Sequence, residues 1–384
     1  MDKSIIMKNI LITGGAGFIG SNLSLSLLRN NYNITVLDNL SSQIHGAEPE
    51  KDSPLYRSIK NKVNFIHGDV TNIEDLQLAT NDQDIIIHLA AETGTGQSMY
   101  QISRYTNVNM VGTSNIFDLI SNSPSNTIEK VIVASSRSIY GEGKYNCSKH
   151  GTVYPLARRN KDMDRGIFEV RCPYCNEFTS PLPTDENSKL HPSSIYGVTK
   201  HFQEELALVA GKSLKIPTIA LRFQNVYGPG QSLSNPYTGI LSIFSTIINN
   251  GNNINVFEDG LESRDFVYID DVVDAIKLTI DNPIDYGVFN IGTGDSVRVI
   301  DVAESLKVLY SSECEINVTG NYRVGDIRHN FADITLAKNT LGFNPKVSFN
   351  VGIRNFTDWV KKQEIKSDTF SDSLKIMKSK GLMK

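Results

Sequence analysis

The run Asn9-Ile10-Leu11-Ile12-Thr13-Gly14-Gly15-Ala16-Gly17-Phe18-Ile19-Gly20 sets the architecture of this chain. It opens as a short apolar strand pattern. Glycines then fall at positions 14, 17 and 20, and from Ser21 to Arg29 the apolar residues recur with helical spacing. Strand, glycine turn and helix in that order aim the helix N-terminus, with its unpaired N–H groups and positive dipole end, at an anion lying over the turn. The three glycines divide the work: a tight turn, a close approach of backbone to a pyrophosphate, and close packing of helix on strand. A glycine turn alone can be purely structural. Here Asp38 closes the second strand pattern, 18 residues beyond Gly20. A carboxylate at that place accepts hydrogen bonds from an adenosine ribose and repels a 2′-phosphate. The expectation is an NAD site rather than an NADP site, built from Gly14, Gly17, Phe18, Ile19, Gly20, Asp38 and Asn39. Asp69 and Val70, after the third strand, are expected at the adenine edge. Leu89, Ala90 and Ala91, after the fourth, are expected beside the pyrophosphate.

The same alternation continues along the first half of the chain. Strand patterns fall at residues 9–13, 34–38, 63–67, 85–89, 130–134 and 218–223, with helical patterns between them, such as 108–121. That order predicts an α/β fold with a doubly wound parallel Rossmann sheet. Beyond about residue 225 the pattern loosens, which divides the chain into a Rossmann domain over 1–224 and a smaller C-terminal substrate domain over 225–365. Residues 366–384 read as a charged, weakly helical tail. Met7 stands at the start of the first strand, so the six residues before it read as a short extension.

Composition narrows the function classes. The 384 residues carry a formal net charge of −4, which provides no broad basic field for nucleic acid or anionic lipid. No apolar run approaches the about 18 residues that a membrane helix needs. With no signal-peptide pattern at the N-terminus, the expected compartment is the cytoplasm.

Tyr196-Gly197-Val198-Thr199-Lys200 puts a phenol and an ammonium at i and i+4, on one helix face. A phenol with a pKa near 10 is a poor base at neutral pH, and a nearby cation favours its ionised form. Lys200 can also hold a nicotinamide ribose. Ser135-Ser136-Arg137-Ser138, after the fifth strand, supplies a hydroxyl to orient a substrate alcohol. On a helix by itself, Tyr-x-x-x-Lys is as easily a packed Tyr beside a solvated Lys. Downstream of a dinucleotide turn, it becomes an alcohol-oxidising pair.

Taken in order, the glycine loop, Asp69, His88–Ala91, Asn109, the Ser136–Tyr140 run, Tyr196/Lys200, Arg222-Phe223-Gln224-Asn225 and Arg264-Asp265 resemble the extended short-chain dehydrogenase/reductase superfamily over residues 8 to about 335. The resemblance implies tightly held NAD, with Asn109 among its contacts, and a nucleoside-diphosphate-sugar substrate. It singles out Ser136, four before Tyr140, as the catalytic hydroxyl beside Tyr196 and Lys200. It implies that Asn225, Arg264 and Arg323 grip the diphosphate and nucleotide, that Asp326 binds the ribose, and that the protein is a homodimer through the helices after Asn107 and after Tyr196. Members similar to sugar 4,6-dehydratases carry an Asp-Glu pair after the catalytic hydroxyl. Arg137 and Ser138 stand there instead, and neither readily transfers that proton at neutral pH. The implied reaction is therefore reversible oxidation at one carbon, as in an NAD-dependent nucleotide-sugar 4-epimerase. A 4-ketoreductase or 4,6-dehydratase of the same fold, and a non-catalytic NAD- or nucleic-acid-binding protein, are the alternatives. A narrower resemblance, to dTDP-L-rhamnose 4-epimerase-like proteins, rests on residues 94–100, on Asn235-Pro236-Tyr237-Thr238-Gly239 and on a cysteine-bearing insert. It implies dTDP-L-rhamnose and dTDP-6-deoxy-L-talose as the sugars, with Gln97 and Ser98 facing them.

The insert spans about residues 143–190 and has no clear period. A stretch of that length in a compact domain is usually functional or self-structured. Three of the chain's four cysteines lie in it, as Cys147-x-x-His150 and Cys172-x-x-Cys175. Two ligand pairs with two-residue gaps predict a closed, four-coordinate structural zinc site in a zinc-ribbon-like insertion. The insertion is expected to form a flap near the mouth of the active site.

Overall fold

The computed structural model describes residues 7–123, 126–237 and 239–384. The proposed extension Met1–Ile6 and Thr238 lie outside them. Seven strands form one parallel sheet: β1 (Asn9–Thr13), β2 (Asn33–Asp38), β3 (Asn64–His67), β4 (Ile85–His88), β5 (Lys130–Ser136), β6 (Thr218–Phe223) and β7 (Tyr286–Ile291). Their order across the sheet is β7-β6-β5-β4-β1-β2-β3. Side-chain alternation explains why both faces are covered. Ile10, Ile12, Val36, Ile85, Ile87 and Ile132 join one buried cluster, while Leu11, Leu37, Ile86, Val131 and Val133 join another on the opposite face. Helix α1 (Phe18–Leu28) packs on the first face. On the second face lie α2 (Gly112–Asn122) and the long α3 (Ile195–Leu214), which rests against β5.

The order in which strands are added reverses between β1 and β4, which run parallel, so the loops leaving their C-terminal ends part and leave a crevice. This is where the glycine turn and residues 89–91 emerge. The substrate side is built from α4 (Ile240–Asn249), α5 (Ile269–Asp281), α6 (Val299–Tyr310), α7 (Phe349–Val360) and three small sheets. In one of them Ser263–Arg264 lies between Val297–Arg298 and His329–Asn330.

Two features depart from the sequence expectation. The chain re-enters the first sheet as β7, paired with β6, and α5 packs against α1, so a boundary at 224/225 does not separate the two units. The segment 366–384 is docked rather than free. It forms α8 (Phe370–Ser379), buries Ser373, Met377 and Met383, and ends in backbone hydrogen bonds with Tyr322 and Val324.

Candidate active site

Every residue read as an NAD contact except Asn109 lines one cleft of about 530 Å³, together with Ser136, Asn225, Arg264, Arg323 and Asp326. At its floor, Gly14 has φ 67°, and a Cβ there would stand 2.7 Å from the Ala90 nitrogen. A Cβ at Gly17 would meet only the Gly14 oxygen, at 3.2 Å, so the turn stays open on the side a pyrophosphate approaches. Asp38 accepts from the Ala16 and Leu40 amides at 2.9 Å each, tying β2 to the glycine turn. Asn39 donates to Asp69 at 2.8 Å, which closes the expected adenine edge. These open glycines and carboxylates fit NAD.

Helix α3 is capped by Ser194, whose hydroxyl accepts from the Gly197 amide at 3.1 Å. Its first turn thereby carries Tyr196 into the cleft beside Ser136. Burial lifts the Tyr196 pKa above the ordinary phenol value, while hydrogen bonding from Ser136 and the Arg137 charge oppose that lift. Lys200 is buried one turn further on, where its Nζ donates to Ala134 O and Gln203 Oε1. Burial pulls its pKa down to about 7, against the pull of Glu204. Arg137 is a second cation acting on Tyr196, beside the expected Lys200, which lines the same cleft. Arg137 lines the cleft, and no hydrogen bond or ion pair is found for it among the described residues.

Sequence reasoning did not anticipate the polar chain behind this pair. Thr13 donates to His88 Nδ1 at 2.7 Å, and His88 Nε2 lies 2.9 Å from the Thr113 hydroxyl. Thr113 donates to Asn109 O and accepts from Gln203, which holds Lys200. Burial, with Lys200 nearby, presses His88 down to about 3, so it stays neutral and links β1 to α2, and through Thr113 and Gln203 to α3, as a donor–acceptor bridge. Beneath α3, Glu204 forms a two-pronged pair with Arg222, at 2.5 and 3.0 Å, and accepts from Ser135 at 2.5 Å.

Three expected contacts face elsewhere. Asn109 is fully buried and bonds the Glu92 backbone and the Thr199 hydroxyl, so it braces the loop after β4 against α3. Ser98 accepts from the Tyr196 amide at 3.0 Å, and Gln97 bonds Gln43 and Gln101. The loop turns Gly94, Thr95 and Gly96 to the cleft instead.

At the substrate end, carbonyls of Ser263, Ile327 and Arg328 hold the Arg264 guanidinium at 2.7–2.9 Å without neutralising it. Arg323 pairs with Asp326 at 2.7 Å. Burial would raise Asp326, but Arg323, Arg264 and Arg158 together hold it below the usual carboxylate range. Nearby, the Gln224 amide and Asn225 Oδ1 are buried without hydrogen-bond partners among the described residues, the mark of a surface shaped for a polar ligand.

The insertion gathers its four predicted ligands. Cys147 Sγ lies 3.6 Å from both His150 Nδ1 and Cys175 Sγ, and Cys172 Sγ lies 3.6 Å from His150 Nδ1. A tetrahedral zinc with sulfurs at about 2.3 Å and a nitrogen at about 2.0 Å sets its ligand atoms roughly 3.5–3.8 Å apart. The sulfurs stand much farther apart than the about 2.05 Å of a disulfide. The donor set therefore fits zinc. No residue of 143–190 lines the cleft itself. The insertion acts as a buttress. Its Arg158 bridges Glu142, Glu258 and the Asp326 carbonyl, and its Glu169 takes Arg328.

A model of the NAD dependent epimerase/dehydratase family matches residues 10–160 and 172–292, and the break between the two stretches falls inside the cysteine insertion. The dTDP-L-rhamnose 4-epimerase of Burkholderia thailandensis is 38% identical, covering 93% of this chain and 96% of its own. The crystal structure of a UDP-glucose 4-epimerase with UDP-glucose from Thermotoga maritima aligns with a TM-score of 0.75 at 28% identity, over 92% of this chain and 99% of that one. A UDP-glucuronic acid 4-epimerase from Bacillus cereus, in complex with UDP-glucuronic acid and NAD, gives the same TM-score and coverage at 25% identity.

Proposed function

Because this chain belongs to the NAD dependent epimerase/dehydratase family, we propose that its cleft inverts C4 of a nucleoside-diphosphate sugar through a transient 4-keto sugar. One observation carries this reading. Tyr196 and Ser136 share a cleft with the glycine cradle and the Arg264/Arg323 grip, and positions 137 and 138 bring no carboxylate that could drive an elimination. Bound over Gly14 and Gly17, NAD would supply the hydride acceptor and then the donor. Ser136 orients the C4 hydroxyl. Tyr196 removes its proton and, after the sugar has turned, returns a proton to the carbonyl oxygen, while the hydride would be returned to the opposite face of C4. Arg137 and Lys200 favour the phenolate, and Lys200 also lies where a nicotinamide ribose would be held. Arg264 and Arg323 fix the diphosphate while the sugar turns.

The 38%-identical relative supports dTDP-L-rhamnose and dTDP-6-deoxy-L-talose as the pair interconverted. Protein as purified, incubated with a panel of UDP-, dTDP-, GDP- and CDP-sugars and no added cofactor, should show inversion at C4 by NMR. A strict need for added NAD or NADH in each turnover would replace the epimerase with a reductase. Zinc in the Cys147/His150/Cys172/Cys175 cluster is structural in this reading. Among the described residues no helix is long and apolar enough to cross a membrane. The unbonded cysteines suit a reducing cytoplasm.

A further inference from the structure

The segment after residue 365 takes no part in the mechanism above, yet it is fastened to the substrate end of the cleft at every turn. The Lys366 carbonyl accepts from Asn250 at 2.8 Å, and Thr369 donates to the Ser234 carbonyl at 2.8 Å. Met377 is buried over Gly96, where a Cβ would stand 2.8 Å from its sulfur. Lys380 lies 5.4 Å from the Tyr100 ring centroid. Leu382–Lys384 then pairs with Tyr322–Val324 through bonds of 2.8–3.0 Å, on both sides of Arg323.

Between these anchors, α8 delivers one aromatic side chain into the cleft. Phe370 lines it beside Phe257, with ring centroids 6.3 Å apart and planes inclined by 32°. The Arg323 guanidinium stands 5.4 Å from the Phe257 centroid on the same wall. A nucleotide whose diphosphate is held by Arg264 and Arg323 must place its base close by. A nucleobase is flat and apolar on its faces, so it is bound well by aromatic rings.

We propose that α8 is a wall of the nucleotide site and that Phe370, packed beside Phe257, forms with it an aromatic surface on which the base of the nucleoside diphosphate packs. The proposal rests on the reading of the cleft as a nucleotide-sugar site. It makes Phe370 a binding residue remote from the chemistry at Tyr196. Its loss weakens recognition of the base and leaves the grip on the diphosphate and the hydride step intact.

The test uses full-length protein carrying its copurified cofactor, with dTDP, UDP and inorganic pyrophosphate as calorimetric probes. Phe370→Ala should weaken dTDP and UDP about tenfold, in line with the loss of one base–aromatic stack, and leave pyrophosphate affinity and cofactor content unchanged. KM for the sugar nucleotide should rise by a similar factor with kcat within about twofold. Phe370→Tyr, which keeps the ring, should restore binding. Wild-type affinity for dTDP in Phe370→Ala would overturn the proposal. So would equal losses for dTDP and pyrophosphate, which would mean a collapsed wall rather than a lost stack. Failure of the wild-type protein to bind any nucleoside diphosphate would instead sink the nucleotide-sugar reading, and this proposal with it.

Discussion

A buried phenol is a reluctant base, and the groups beside Tyr196 decide how reluctant. Burial raises its pKa, and Ser136 and Arg137 draw it back. Phe at 196 removes the proton acceptor but keeps the ring that packs edge-on to Tyr105. Tyr196→Phe should therefore lower kcat by about 10²–10⁴ and leave the affinity for nucleoside diphosphate unchanged. Retention of full turnover would remove Tyr196 from the mechanism. Arg137 adds a pH prediction. Its positive charge favours the phenolate, so deleting it raises the Tyr196 pKa. The acid limb of kcat in Arg137→Met should move to higher pH, and activity should recover as the pH is raised. A limb that stays in place would mean that Arg137 serves the substrate alone.

Helix α3 owes its position to an ion pair as well as to its apolar face. Glu204 is fully buried and is balanced by Arg222 and Ser135. Glu204→Ala leaves the Arg222 charge buried without its partner and should cost about 3–5 kcal/mol in chemical denaturation, whereas Ser135→Ala, which removes one hydrogen bond, should cost about 0.5–1.5 kcal/mol. Comparable losses in the two variants would show that Arg222 finds another partner. The insertion carries a prediction at the same scale. Its own apolar cluster is little more than Tyr145, Cys147, Val153, Val170 and Cys172, too small to order the insertion alone. Purified protein should contain about one zinc per chain. Cys172→Ser should lose that zinc and lower the melting temperature. Because Arg158 braces the Asp326 carbonyl, the same variant should raise KM more than it lowers kcat. A metal content near zero that added zinc does not restore would leave the cluster as four ordinary side chains.

At the scale of the molecule, what could be read from the sequence follows from what is local. β1 and β6 fall on the expected residues, and β2 to β5 differ only at their ends, because each is an apolar run bounded by turn residues. β7 was missed. Tyr286–Ile291 becomes a strand by pairing with β6 after a long excursion through the substrate side, and no periodicity encodes such a pairing. The family resemblance pointed to Gln97, Ser98 and Asn109, but it does not say which neighbour a buried amide or hydroxyl will find. The tail did carry a signal: Phe370, Ser373 and Met377 fall on one helical face, which its many lysines and acids masked. Assembly is the remaining property of the whole molecule. Val198, Phe202 and Val209 share one face of α3, with exposures of 46%, 36% and 64%, and Val111, just before α2, is 43% exposed. Apolar side chains aligned along neighbouring helices are what a two-fold interface would cover. We therefore expect a homodimer through α2 and α3. Phe202→Glu combined with Val209→Glu would place like charges on both sides of that interface and should convert the protein to a monomer in sedimentation, with its bound cofactor retained. An unchanged sedimentation coefficient in the double variant would move the interface to another face of the molecule.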